Sequence, residues 1–158
     1  MQNLLIMTID LQLEQLYLDD KSDRQLFDEG KVSEQQLRQN DAHRQEALNR
    51  ILPTLVETEI WNCHYACLLL MHSWSDDPAT YKLAHDYARK AIKLGSNVTK
   101  WLYAASLDRW LVSQGKKQKF GTQFNTATGI ICDYDSNTSD QERGDYGVPP
   151  LSELINRS

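Results

Sequence analysis

No stretch of this chain stays apolar over the ~20 residues that a membrane-spanning helix needs, so a membrane is not an expected partner. The run Leu4, Leu5, Ile6, Met7 and Ile9 is short, no basic residue precedes it, Asp10 interrupts it, and no small-residue cleavage site follows. A secretory signal is therefore not expected. Cysteine is scarce and odd in number. Cys63 and Cys67 stand four apart on a strongly helical stretch, which is poor disulfide geometry, and Cys132 is distant. That pattern reads as reduced thiols in a cytoplasmic protein. The chain also lacks a glycine-rich phosphate loop, a G-x-S-x-G nucleophile elbow and an H-E-x-x-H zinc helix, which sets aside the chemistries those motifs carry. Cys63, His64 and Cys67 do not follow the loop-separated pairs of zinc sites. Neither a metal nor a cofactor is expected.

What is present suits one domain over residues 1–158, with 41% hydrophobic and 25% charged residues, ordinary values for a globular chain able to bury a core without a staple. The net charge of −5 is unevenly spread. Residues 1–81 carry 6 basic against 14 acidic side chains, residues 82–119 carry 9 against 2, and residues 120–158 carry 2 against 6. The basic middle segment suits an anionic ligand or, equally, a solvated basic face balanced by acidic neighbours. Lys116, Lys117 and Lys119 beside Phe120 form too short a tract to make nucleic acid the expected partner.

Apolar spacing predicts helices over about 3–27, from a Ser33/Gln36 capping box to Pro53, and over 58–74. The 58–74 stretch is apolar on almost every side, so it is expected to be the central buried helix. Asp77-Pro78 opens a further, two-faced helix that Gly95 ends, and another is expected over about 97–114. Thr122–Asn125 and Ile130–Tyr134, split by Thr-Gly turn chemistry, suggest a β-hairpin. Residues 135–144 read as a loop, and a short terminal helix follows Pro149-Pro150. The expected fold is thus mainly α: an antiparallel helical bundle over about 3–115, with a small C-terminal β-hairpin and terminal helix over about 120–156.

Three polar residues interrupt the apolar pattern. Asp108 and Arg109 fall inside the apolar stripe of the 97–114 helix, where an unpaired ion costs several kcal/mol, roughly. They diverge by ~100° around the axis, so they are not expected to pair with each other. Either they tie the C-terminal segment onto the bundle, or they line a cleft in which Arg109 receives a carboxylate or phosphate. His72 ends the buried helix and is the best acid/base candidate by residue type, although a satisfied core histidine is the commoner occurrence. His43 and His85 sit among polar residues and read as solvated.

Leu107 to Gln123, reading L-D-R-W-L-V-S-Q-G-K-K-Q-K-F-G-T-Q, resembles the signature of a bacterial family known only as a domain of unknown function. The match lies at Asp108, Arg109, Gly115, Gln118, Gly121, Thr122 and Gln123. Weaker echoes follow at Asp23-Arg24, Asp41 with Arg44, Met71-His72-Ser73, and Arg143 with Gly147-Val148-Pro149-Pro150-Leu151. Where that family shows paired arginines near the end, this chain has Glu142-Arg143. The resemblance carries no activity with it. It implies that His72, Asp108, Arg109, Gln118, Gln123 and Arg143 belong to one constellation. The expectation is a pocket that binds a small polar or anionic ligand, or an acidic peptide, through Arg109, Gln118, Thr122, Gln123 and Arg143. An enzyme, hydrolytic in kind and using His72 or Asp108, is the first alternative; a helical interaction module with a purely structural cluster is the second.

Overall fold

The computed structural model describes residues 9–157; the apolar run before Ile9 lies outside them. Helix α1 spans Leu11–Asp28. Asp10 starts it by accepting hydrogen bonds from Gln12 N and Leu13 N, which satisfies two of the donors a helix start leaves open. Helix α2 spans Glu34–Ile51 and is capped by Ser33, whose hydroxyl accepts from Gln36 N at 3.1 Å. Pro53 sits in a 3-10 turn, Leu52–Thr54, that ends the helical run. Helix α3 covers Ile60–Met71, α4 covers Pro78–Lys93 behind its Asp77 cap, and α5 covers Lys100–Ser113.

The all-round apolar pattern predicted for the third helix has the expected consequence. Eight of the twelve residues of α3 are buried, and the helix touches α1, α2, α4 and α5. Its partners approach closely because they present alanines: Ala84, Ala88 and Ala91 of α4 and Ala105 of α5 are fully buried against Cys63, Ala66, Cys67 and Leu69. All three cysteines are free. Burial pushes the Cys67 thiol up to about 12 and the Cys63 thiol up to about 11, so both behave as small core hydrophobes. Among the described residues no helix is long and apolar enough to cross a membrane.

The C-terminal segment differs from the expectation. No β-hairpin strands form among the described residues: Phe124 and Ile131 make one antiparallel bridge, and Gln118 makes a parallel bridge with Tyr134. The 123–132 loop does close, through Asn125 N to Ile130 O and Cys132 N to Gln123 O. Its tip, however, is an Asn125 turn that accepts from Ala127 N and Thr128 N, which takes up the residues a second rung would need. The polar 135–144 stretch is not all loop. Ser139 accepts from Glu142 N and opens α6, Asp140–Asp145, and α7 follows over Leu151–Ile155. Phe120, Val148 and Leu154 form a second apolar cluster against Ala104 of α5.

Gly121 is required where this segment turns. Its φ is +91°, and a Cβ there would lie 3.0 Å from Leu154 Cδ1 and 3.4 Å from Ile131 Cδ1. Gly121→Ala combines left-handed backbone strain with a clash, and should cost about 1–3 kcal/mol, read as a lower urea midpoint at unchanged slope.

His85 corrects another expectation. It lies on the polar side of α4 but is only 5% exposed. The ring is held against Tyr103 and Trp110 of α5, with Nδ1 3.2 Å from Ser106 Oγ. Burial, helped by the Arg89 charge, pushes this imidazole down from 6.5 to about 4. Below pH 6.5 the unfolded chain takes up a proton that the folded chain refuses until about pH 4. The stabilisation is thus complete above pH 6.5 and lost as pH falls through that window, by up to about 3 kcal/mol. Denaturant titrations at pH 7 and pH 5 should show this loss in the wild type and a smaller one in His85→Gln.

Candidate functional site

Helices α1 and α2 meet through ions rather than through a continuous apolar seam. Asp20 and Arg24 stand one turn apart on α1, and Asp41 and Arg44 three apart on α2, so each pair shares a helix face. Asp20, Asp41 and Arg44 are buried. Arg24 Nη2 donates to both Asp41 oxygens at 2.8 and 2.9 Å and to Asp20 Oδ1 at 3.2 Å. Arg44 donates to Asp41 Oδ1 at 2.7 Å and to Asp23 Oδ2 at 2.5 Å. Burial alone would lower the Arg44 basicity and raise the Asp20 carboxyl. The Asp23 and Asp41 bonds outweigh it for Arg44, and the His72 hydrogen bond, the charge of the His72 ring when it is protonated, and the charges of Arg24 and Arg44 outweigh it for Asp20. Both groups stay ionised.

The segment leaving α3 is fastened onto this cluster. His72 is the C-cap of α3, and its Nδ1 lies 2.9 and 3.0 Å from the two Asp20 oxygens. Arg24 Nε also comes within 3.1 Å of the same nitrogen, but Nδ1 cannot both donate and accept. The buried carboxylate, with both oxygens at this nitrogen, would repel a lone pair there, so Nδ1 carries a proton, and in the neutral ring Nε2 holds the lone pair. Two residues on, Trp74 has φ +53°, a conformation that costs a bulky L-residue about 1–2 kcal/mol. It is held by Nε1 donating to Asp41 Oδ2 at 2.7 Å and by the Arg38 guanidinium 3.9 Å above its ring. Arg109 reaches across from α5, where Nη1 donates to Met71 O at 2.6 Å and the guanidinium faces the Tyr81 ring.

These groups enclose a cavity of about 110 Å³ lined by Arg24, Met71, His72, Trp74 and Arg109. It opens to solvent on one side and has room for a tetrahedral or planar oxyanion group together with water. Arg24 Nη1, Arg109 Nε and Arg109 Nη2 make no hydrogen bond to the described residues, and His72 Nε2 has no partner there either.

Of the residues singled out from sequence, His72 and Arg109 line this cavity, and Asp108, Gln118, Thr122, Gln123 and Arg143 do not. Those five form a separate network. Buried Asp108 accepts from Lys119 N, Phe120 N, Thr122 N and Thr122 Oγ1 at 2.7–3.0 Å. Gln118 donates to Gln123 O and Cys132 O and accepts from Gln123 N. Gln123 Nε2 reaches Thr122 Oγ1. Arg143, 1% exposed, donates to Phe120 O, Thr138 O and Asp140. The six residues expected as one constellation are thus divided between two polar clusters on either side of α5.

Asp20, Arg24, Asp41 and Trp74 were not expected at the site. For two of them, Asp20 and Asp41, a signal was present, as it was for Arg44 behind them. Asp20 stands seven residues after Leu13, Asp41 four after Leu37, and Arg44 four before Leu48, so these charges interrupt apolar stripes in the same way as Asp108. Nothing in the local pattern marks Trp74, whose position depends on a loop conformation. Among the described residues no group of three His, Cys, Asp or Glu side chains is placed to hold a metal ion. Compared with protein-family models, with curated proteins and with solved structures, the chain finds no match.

The Asp108 network is expected to carry stability. Asp108→Asn replaces a charged acceptor of four hydrogen bonds with one that brings two donors into a cage of donors. It should lower the unfolding free energy by about 2–4 kcal/mol, measured by urea denaturation.

Proposed function

We propose that the chain binds an oxyanion, the phosphate or carboxylate group of a small molecule or acidic peptide, in the cavity between α1, the 72–74 segment and α5. The observation that carries this is the pair of guanidiniums, Arg24 and Arg109, with unengaged N–H groups on one small cavity. Arginine's planar fork suits phosphate and carboxylate oxygens, and it stays charged at any working pH. Behind them, Asp20 and Asp41 orient Arg24, and Met71 O fixes Arg109, so little side-chain freedom is left to lose on binding.

The oxyanion contacts then fall to Arg24 and Arg109, with His72 beside them on the cavity wall, while Gln118, Thr122, Gln123 and Arg143 are engaged with the chain's own groups. For these four and Asp108, the hydrogen bonds favour the structural alternative: Asp108 and Gln123 fasten the C-terminal segment to α5, and Gln118 and Arg143 hold that segment to itself. We further read the chain as an antiparallel bundle at work in the cytoplasm, a reading supported by three free thiols, two of them buried.

Inorganic phosphate should raise the unfolding temperature of the wild type saturably. A hundredfold excess over Kd is worth about 2.7 kcal/mol, and each kcal/mol about 2–4 °C at this chain length. Arg109→Met should weaken binding tenfold or more while circular dichroism stays unchanged. A folded wild type that responds to neither phosphate nor citrate would show the proposal to be wrong.

A further inference from the structure

Oxyanion binding employs the two arginines, and Asp20 as a brace for Arg24, but gives no task to the hydrogen bond between Asp20 and His72. A histidine present only to complete the cavity wall needs no buried carboxylate behind it. Asp20 is almost wholly buried, and its two oxygens sit 2.9 and 3.0 Å from Nδ1. This arrangement fixes the ring tautomer, leaves the Nε2 lone pair free, and stabilises the imidazolium that forms if Nε2 takes a proton. The ring belongs to the wall of the same small cavity as Arg24 and Arg109, the residue type that stabilises charge on a transferring phosphoryl group.

We infer that the cavity is a hydrolytic site for phosphate esters, in which His72 Nε2 is the base that activates water. The inference rests on the oxyanion reading above and adds chemistry to it. The water oxygen forms a bond to phosphorus as the bond from phosphorus to the ester oxygen breaks. The proton of the water passes to Nε2, and the leaving oxygen keeps the bonding pair and takes a proton from solvent. The imidazolium then returns its proton to solvent, and nothing is oxidised or reduced. Arg24 and Arg109 hold the non-bridging oxygens, and Asp20 is a positioning residue that acts through His72. About 110 Å³ admits the phosphoryl group and a water. The alcohol portion extends toward the open side, where half-exposed Trp74 on the cavity wall offers a flat surface. The favoured substrates are phosphate monoesters whose alcohol carries a flat ring.

The test uses the full chain with p-nitrophenyl phosphate as substrate, p-nitrophenyl acetate as an ester without phosphorus, and inorganic phosphate as the binding probe. The wild type should release p-nitrophenolate from the phosphate ester and not, above background, from the acetate. His72→Gln should lose kcat on the order of 100-fold or more while still binding inorganic phosphate within a few-fold. Asp20→Asn should lower kcat with KM little changed and alter the acid limb of the kcat–pH profile, which a merely structural role would leave in place. If His72→Gln does not fold, the His72 ring resonances of the wild type carry the test: they must shift on adding phosphate, and an unmoved ring overturns the inference. A wild type that binds phosphate but shows no turnover, or a folded His72→Gln that turns over normally, overturns the hydrolytic inference and leaves the oxyanion reading standing. Binding of citrate but not phosphate also overturns it, and so does a phosphoryl adduct trapped on His72, which would make the ring a nucleophile. Absence of binding by either anion removes the oxyanion reading itself.

Discussion

The contact of Arg24 Nη2 with both oxygens of Asp41 is the one on which the half of the molecule around the small cavity depends. Taking ions out of water costs several kcal/mol each, and only close, multiple partners offset it. Once Asp20, Asp41 and Arg44 are buried, their partners therefore have little freedom. Helices α1 and α2 can adopt only the register that brings Arg24 between Asp20 and Asp41. Apolar packing alone would not set it, because α1 buries only Leu13 and Asp20 along its length. The same two carboxylates hold His72 and Trp74, so the segment after α3 takes its shape from the ions and not from its own sequence.

Helix α5 joins this half to the C-terminal one. Asp108 and Arg109 are neighbours in sequence and point about 100° apart, and each enters a different polar network. Asp108 collects the backbone donors of Lys119, Phe120 and Thr122, N–H groups that have no sheet partner and must be satisfied elsewhere. Arg109 fastens the last carbonyl of α3, which carries the partial negative charge of a helix end. One short helix therefore sets the position of the C-terminal lobe and of the cavity wall.

Much of the helical core was legible in the sequence because its signals are local. The Ser33 and Asp77 caps, the Pro53 stop, the Gly95 end and the all-round apolar face of α3 each follow from nearest-neighbour chemistry. The misplacement of Asp108 and Arg109 within an apolar stripe marked both as engaged, and their divergence followed from helix geometry. What could not be read depends on distant partners. Arg24 looks like an ordinary surface charge until α2 brings Asp41 to it. His85 sits among lysines and arginines, yet Tyr103 and Trp110 of the next helix cover it. The missing hairpin has the same origin: Gln118 supplies from its side chain the bonds to Gln123 and Cys132 that a neighbouring strand would have made.

Trp74 couples two properties of the protein that would otherwise vary separately. Its left-handed backbone is tolerated because the indole N–H is one of the donors neutralising Asp41. Relaxing the backbone would withdraw that donor and leave Asp41 with the arginines alone. The conformation of the cavity rim and the electrostatic balance of the helix interface are therefore a single variable.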